Sequence, residues 1–95
     1  IPNIGWNKIL HNKLDWENSF LKGIPDESFM YFVHSFYVAP RDSNIILSET
    51  NFGGENYCSS INFENIFATQ FHPEKSGAIG LRIYSNMLKF IKSKE

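Results

Sequence analysis

The chain has 95 residues, of which 42% are hydrophobic and 16% aromatic, so it can form one small globular domain and is not a disordered tail. Nine basic residues against ten acidic ones give a net charge of −1, which does not indicate the basic surface that binds nucleic acid. No apolar run approaches the roughly 20 residues of a membrane span and the first residues show no secretory signal pattern, so we expect a cytoplasmic protein without a membrane partner.

The first part of the chain is predicted to contain an extended segment, a short helix and a long strand. Residues 1–8 are extended in character and carry Trp6. Apolar side chains in residues 14–24 have spacings that suit a short helix, which Gly23 ends. Residues 29–38 alternate two apolar faces, the pattern of a strand covered on both sides.

Further strands, linked by turns, are predicted for the middle of the chain. Residues 45–50 form the next strand, and Gly53 with Gly54 provides a tight turn or positive φ before a strand over residues 55–63. A last strand is predicted for residues 66–71. Strands joined by short turns indicate partly antiparallel pairing.

The last part of the chain is predicted to be a helix that covers the sheet. Ser76 is a candidate N-cap, and lysines concentrate near the carboxyl end, where cations are favoured. One stripe of apolar residues follows helical spacing and is predicted to lie in the core: Ile79, Ile83, Tyr84, Met87, Leu88 and Ile91.

His72 and Glu74 are the candidate acid–base residues. Pro73 cannot donate to a strand ladder, so the strand should end here, and side chains two residues apart in extended chain share a face. A carboxylate that accepts from one imidazole nitrogen leaves the other for a nucleophile, as in a catalytic triad. A lone His-x-Glu recurs freely, however, and the pattern alone favours a surface histidine with an incidental neighbour.

Neither a metal site nor a cysteine nucleophile is predicted from the residue pattern. His11, His34 and His72 are far apart in sequence and form no ligand-spaced cluster. The single cysteine, Cys58, excludes an internal disulfide and fits a reducing compartment. It lies in a strand-like run without a glycine-rich turn, which predicts a small buried residue with no thiolate-stabilising surroundings.

Four segments, in order along the chain, resemble class I glutamine amidotransferases, and most closely the glutaminases that serve imidazole glycerol phosphate synthase. They are residues 1–7, 31–37, 52–54 and 70–77, the last reading Gln-Phe-His-Pro-Glu-Lys-Ser-Gly. The resemblance implies an α/β, flavodoxin-like domain with a mixed sheet and a carboxyl-terminal helix. Residues 1–95 would be the carboxyl-terminal half of one such domain, the half with the nucleophilic cysteine being missing.

The resemblance also implies roles for individual residues. His72 and Glu74 match the family's catalytic histidine and glutamate. The backbone of Ser35 and Phe36 matches the segment that holds the α-amino and α-carboxylate groups of glutamine, with Phe36 where this family commonly has tyrosine. No cofactor is implied.

A partner is implied as well: a synthase subunit of the (β/α)8 type, a cyclase that consumes ammonia in histidine synthesis. Trp6 and Lys75 would face this partner, although Trp6 could instead be a packed core residue and Lys75 could simply pair with Glu74. Two other functions stay open. One is a paralogue that amidates a surface-polysaccharide sugar, and the other is a non-catalytic docking module.

Overall fold

The computed structural model describes residues 3–34, 39–64 and 66–93. Within these ranges the chain forms strands that are followed by one long helix. We number them in chain order: β1 (Asn3–His11), β2 (Ser28–His34), β3 (Ile46–Phe52), β4 (Glu55–Phe63), β5 (Ile66–Thr69) and α1 (Gly77–Ser93). Short 3-10 turns lie at Trp16–Asn18, Ser43–Ile45 and Pro73–Lys75.

The strands form one sheet in the order β2-β1-β3-β4-β5, and each pairing between neighbours is antiparallel. The prediction of antiparallel pairing in this part of the chain is therefore confirmed, as is an α/β chain that ends in a helix. Gly53 and Gly54 connect β3 to β4 with φ values of 63° and 84°. A two-residue hairpin turn with positive φ at both positions matches the twist of the strands it joins.

The sheet curls until the segment after β5 reaches the outer side of β2. Phe71 forms an antiparallel bridge with Phe32, and the backbone N–H of His72 donates to the carbonyl of Tyr31 at 2.9 Å. The rings of Phe32 and Phe71 meet edge to face, with centroids 5.8 Å apart. This return brings His72 against the middle of β2.

The core lies between one face of the curled sheet and α1. Trp16 anchors the segment between β1 and β2 in this core, because its indole N–H donates to the carbonyl of Leu47 at 2.6 Å. Asn86 fastens α1 to the same segment by donating to the carbonyls of Phe20 and Lys22, both at 2.9 Å. The buried cluster comprises Ile9, Trp16, Leu21, Ile24, Met30, Phe32, Leu47, Phe71 and Ile83.

Two sequence predictions for the first half of the chain are wrong. Residues 14–24 form a three-residue 3-10 turn followed by further turns, because the carboxylate of Asp15 accepts from Glu17 N and the chain then bends at Gly23, whose φ is 76°. The strand β2 is covered on one face only: Met30 is fully buried, whereas Phe29 is 52% exposed.

The predicted core stripe of α1 is only partly correct. Ile83 is fully buried and Met87 packs against the core, but Leu88 and Ile91 are exposed. Apolar residues occur almost all round this helix, so periodicity does not decide which stripe meets the sheet. The packing of Gly80 against Pro73 decides which stripe meets the sheet, because a Cβ at Gly80 would lie 2.1 Å from the Pro73 carbonyl oxygen.

No helix within the described ranges is long and apolar enough to cross a membrane.

Candidate active site

His72 and Glu74 form a direct pair at the end of the curled sheet. The Nδ1 atom of His72 lies 2.9 Å from Oε2 of Glu74, with 39% and 43% of the two side chains exposed. Within the part of the chain that the structure describes, His72 Nε2 has no hydrogen-bond partner. The imidazole is thus held at one nitrogen while the other is open to a reacting group, which is the arrangement of a positioned acid–base catalyst.

The pair arises from a turn and not from an extended strand. β5 ends at Thr69, and Pro73–Lys75 form a 3-10 turn with His72 at its N-cap. Pro73 fits the first position of this turn because its fixed φ is helical and no N–H is needed there. The turn closes through Lys75 N, which donates to the carbonyl of His72 at 3.0 Å.

The carboxylate of Glu74 is stabilised in its ionised form. A hydrogen bond from its own backbone N–H is the largest influence that lowers the pKa of Glu74, followed by the bond from His72. The hydroxyl of Tyr84, on the second turn of α1, adds a weaker bond to Oε1 at 3.4 Å. Glu74 therefore stays a hydrogen-bond acceptor for His72 through the neutral pH range.

The pair lines an open cleft of roughly 250 Å³ between the end of β5 and α1. The cleft combines apolar walls with the polar pair, as small-molecule sites usually do. Its other lining residues are Phe67, Thr69, Phe71, Pro73, Tyr84 and Met87.

A family model described as "Glutamine amidotransferase class-I" matches residues 1–89. The chain belongs to this family. The resemblance carried by the four sequence motifs is thereby confirmed.

Three curated relatives that are similar to this chain share one name. The chain is 50% identical over 86 residues to "Imidazole glycerol phosphate synthase subunit HisH" of Chlorobium luteolum, covering 90% of this chain and 41% of that protein. It is 42% identical over 90 residues to the subunit of the same name from Chlorobaculum tepidum, covering 95% and 43%. The Methanosarcina barkeri subunit is 48% identical over 89 residues, covering 93% and 42%. The chain thus spans about two fifths of the length of these relatives.

Cys58 has the surroundings of a structural residue in this amidotransferase chain. It is buried in β4, where its thiol donates to the carbonyl of Ser60 at 3.4 Å. Burial raises the pKa of Cys58 to about 11, so the thiol is protonated at neutral pH. The sequence prediction of a buried, unreactive cysteine agrees with this geometry.

The other predicted site residues are only partly described by the structure. Ser35 and Phe36 lie outside the described residues. Trp6 is 55% exposed on β1, with its ring edge-to-face with Tyr31 at 5.7 Å, so it is not a core residue of this chain. Lys75 is exposed, and among the described residues its side chain does not form an ion pair with Glu74.

Sequence reasoning missed two residues that contact the His72–Glu74 pair or its backbone. Helical spacing predicts Tyr84 to lie in the core stripe, yet its hydroxyl reaches Glu74. The sequence predicts Ser76 to be an N-cap, yet its hydroxyl bonds to the backbone of Tyr31 and His72. Ser76 lies inside the motif of residues 70–77, and its polar side chain there is the signal that could have marked it, whereas Tyr84 lies beyond the motif and has no such local signal.

Within the described ranges, no three His, Cys, Asp or Glu side chains come together in a way that could hold a metal ion.

Proposed function

We propose that the protein containing this chain hydrolyses the side-chain amide of glutamine and supplies the ammonia to a synthase. The observation that carries the proposal is the His72–Glu74 pair, with Nδ1 2.9 Å from Oε2, in a chain of the class I amidotransferase family. Residues 1–95 would be the carboxyl-terminal half of the domain, and the half that precedes it would provide the nucleophilic thiol. Cys58 is protonated and buried, which supports an external nucleophile.

In the proposed reaction, His72 transfers protons and Glu74 orients its ring. The external thiol gives its proton to His72 and attacks the amide carbon, so that a C–S bond forms. The C–N bond then breaks as His72 protonates the departing ammonia. A water molecule next gives a proton to His72 and attacks the thioester carbon. The C–S bond then breaks, glutamate is released, and His72 returns the proton to the sulfur, which restores the thiol.

Glutamine would be held from the strand side of the site. β2 leads along the chain to Ser35 and Phe36, whose backbone we propose binds the α-amino and α-carboxylate groups. Because backbone groups make these contacts, phenylalanine at position 36 is compatible with the role. We call His72 and the 3-10 turn Pro73–Lys75 the catalytic turn of this proposal. The hydrogen bond from His72 N to Tyr31 O links this turn to β2 at a point four residues before Ser35.

The proposed recipient of the ammonia is a (β/α)8 cyclase in histidine biosynthesis, in the cytoplasm. The relatives' shared name, a subunit of imidazole glycerol phosphate synthase, supports this choice over the sugar-amidating paralogue.

Genetic complementation tests the function. We expect the full-length protein, expressed with its cyclase, to restore histidine-independent growth at low ammonium to a strain that lacks the glutaminase subunit. The same strain carrying His72→Ala should grow only when high ammonium bypasses glutamine hydrolysis. Equal growth of both at low ammonium would refute the role of His72. Failure of both at low ammonium, with soluble protein present, would favour the non-catalytic docking module if high ammonium restores growth and would refute the choice of synthase if it does not.

Trp6 and Lys75 are proposed to lie on the surface that faces the cyclase. Trp6 is a large exposed aromatic, the residue type enriched at interface anchors, and its ring contacts Tyr31, whose backbone carbonyl accepts from His72. In the full-length protein, Trp6→Ala and Lys75→Ala should each raise the Kd for the cyclase by about tenfold or more.

Lys13→Ala, at an exposed lysine in the turn after β1, is the control and should leave the Kd unchanged. Thermal unfolding of all three variants separates lost binding from lost stability. Unchanged Kd and unchanged ammonia transfer in the Trp6 and Lys75 variants would assign these side chains to the free surface.

A further inference from the structure

Ser76 is buried directly beneath the catalytic turn, and its hydroxyl makes two backbone contacts. It accepts a hydrogen bond from the N–H of Tyr31 at 2.9 Å and donates one to the carbonyl of His72 at 2.5 Å. Only 3% of the residue is exposed. A hydroxyl has a single proton to donate, so the direction of both bonds is fixed by the groups that it meets.

These two bonds and one backbone bond close a ring between β2 and the turn. His72 N donates to Tyr31 O at 2.9 Å, so both backbone polar groups of Tyr31 are engaged by the catalytic turn and its flanking serine. The side chain of Ser76 occupies the place that a backbone carbonyl would take in a neighbouring strand. The Ser76 hydroxyl is therefore the side-chain contact that supplements the direct backbone bond in fixing His72 against β2.

We infer that Ser76 is a positioning residue of the glutaminase reaction: it fixes the backbone of His72 against the strand that leads to the glutamine-binding segment. The inference rests on the proposed function. Without the hydroxyl, the N–H of Tyr31 loses its acceptor, while the His72 carbonyl keeps the bond from Lys75 N at 3.0 Å. The turn then remains formed but is less firmly held to β2, and the imidazole shifts relative to bound glutamine.

Steady-state kinetics of the full-length protein with its cyclase test this inference. We expect Ser76→Ala to lower kcat by about 10- to 100-fold, because displacement of a catalytic group by about 1 Å has effects of this size. The KM for glutamine should stay within about threefold, since the loss arises in the chemical step. Ser76→Thr, which keeps the hydroxyl, should recover most of the activity.

Ser28→Ala is the matched control. Ser28 is also buried on β2 and donates to a backbone carbonyl, that of Pro25, at 2.6 Å, but at the end of the strand away from the catalytic turn. It should retain full kcat. In the His72→Ala background, Ser76→Ala should add no further loss, because its effect passes through His72.

Amide hydrogen exchange gives a readout that does not depend on activity. We expect exchange at Tyr31 to be about tenfold faster or more in Ser76→Ala than in the wild type, with exchange in β4 unchanged. Full activity of His72→Ala would overturn the proposed function and the role of Ser76 together. If the wild type is active and His72→Ala has lost its activity, two results would overturn the role of Ser76 alone. One is a normal kcat in Ser76→Ala, and the other is a loss in the double variant that multiplies the two single losses.

Discussion

His72→Ala in the full-length protein is expected to lower glutamine turnover by at least about 10²- to 10⁴-fold, the typical contribution of positioned proton transfer. The side chain supplies the proton in both halves of the proposed reaction. Glu74→Ala should lose less, because the imidazole is still present but no longer held at Nδ1 by a carboxylate 2.9 Å away. The double variant should be scarcely worse than His72→Ala, since residues that act as one unit are not additive.

The fold should survive all three substitutions because both side chains are partly exposed at the end of the sheet. Steady-state ammonia release measures turnover, and circular dichroism checks the fold. Lys8→Ala is the control: it removes one partner of the exposed Lys8–Glu27 ion pair and should leave turnover unchanged. Losses that multiply in the double variant, or near-normal turnover of His72→Ala, would reduce His72 to an ordinary surface histidine.

The 95-residue chain by itself is expected to release no ammonia from glutamine. Its single cysteine is buried in β4, and burial, the largest influence, raises the pKa of the thiol to about 11. At neutral pH almost none of it is thiolate, which is the nucleophilic form. The assay compares the purified chain with its Cys58→Ala variant and with the full-length protein. Ammonia release that disappears with Cys58→Ala would refute the assignment of an external nucleophile.

The raised pKa of the Cys58 thiol also predicts how the stability of the chain depends on pH. The folded chain keeps the Cys58 proton up to about pH 11, whereas the unfolded chain releases it near the ordinary value of 9.0. Between these values the folded state binds more protons, so the free energy of unfolding should fall as the pH rises through this window. Cys58→Ala should remove that part of the pH dependence. An identical alkaline dependence in both proteins would show that Cys58 is not desolvated by folding.

The contact between His72 and Glu74 could be predicted from the sequence, but its local geometry could not. The sequence predicts this contact from side chains two residues apart on an extended strand. The structure makes the contact through a 3-10 turn that begins at Pro73. Proline reliably signals that a ladder ends, yet it fits both the end of a strand and the first position of a helical turn. The tertiary bonds to Tyr31, which fix the turn, leave no local sequence signal.

The strands were predicted better than the helical elements for a physical reason. The hairpin at Gly53 and Gly54 is encoded locally, because two adjacent glycines accept positive φ at little cost. The orientation of α1 depends on the close fit of Gly80 against the Pro73 carbonyl and on the long-range bonds from Asn86 to the carbonyls of Phe20 and Lys22. Residues 14–24 carry helical spacing, but two long-range hydrogen bonds hold this segment in turns. Trp16 donates to the carbonyl of Leu47, and Asn86 donates to the carbonyl of Phe20.

The return of the chain onto β2 has a consequence for solubility. β2 is the last strand at one side of the sheet, where unpaired backbone groups can recruit a strand from another molecule. Phe71, His72 and Ser76 occupy the middle of that edge through the bridge to Phe32 and the bonds to Tyr31. Within the described residues, the segment that carries His72 therefore also covers the middle of this sheet edge. Substitutions that loosen this segment to change its chemistry will expose the unpaired backbone groups of the β2 edge. Selection for soluble protein will therefore act on the same residues as selection for activity.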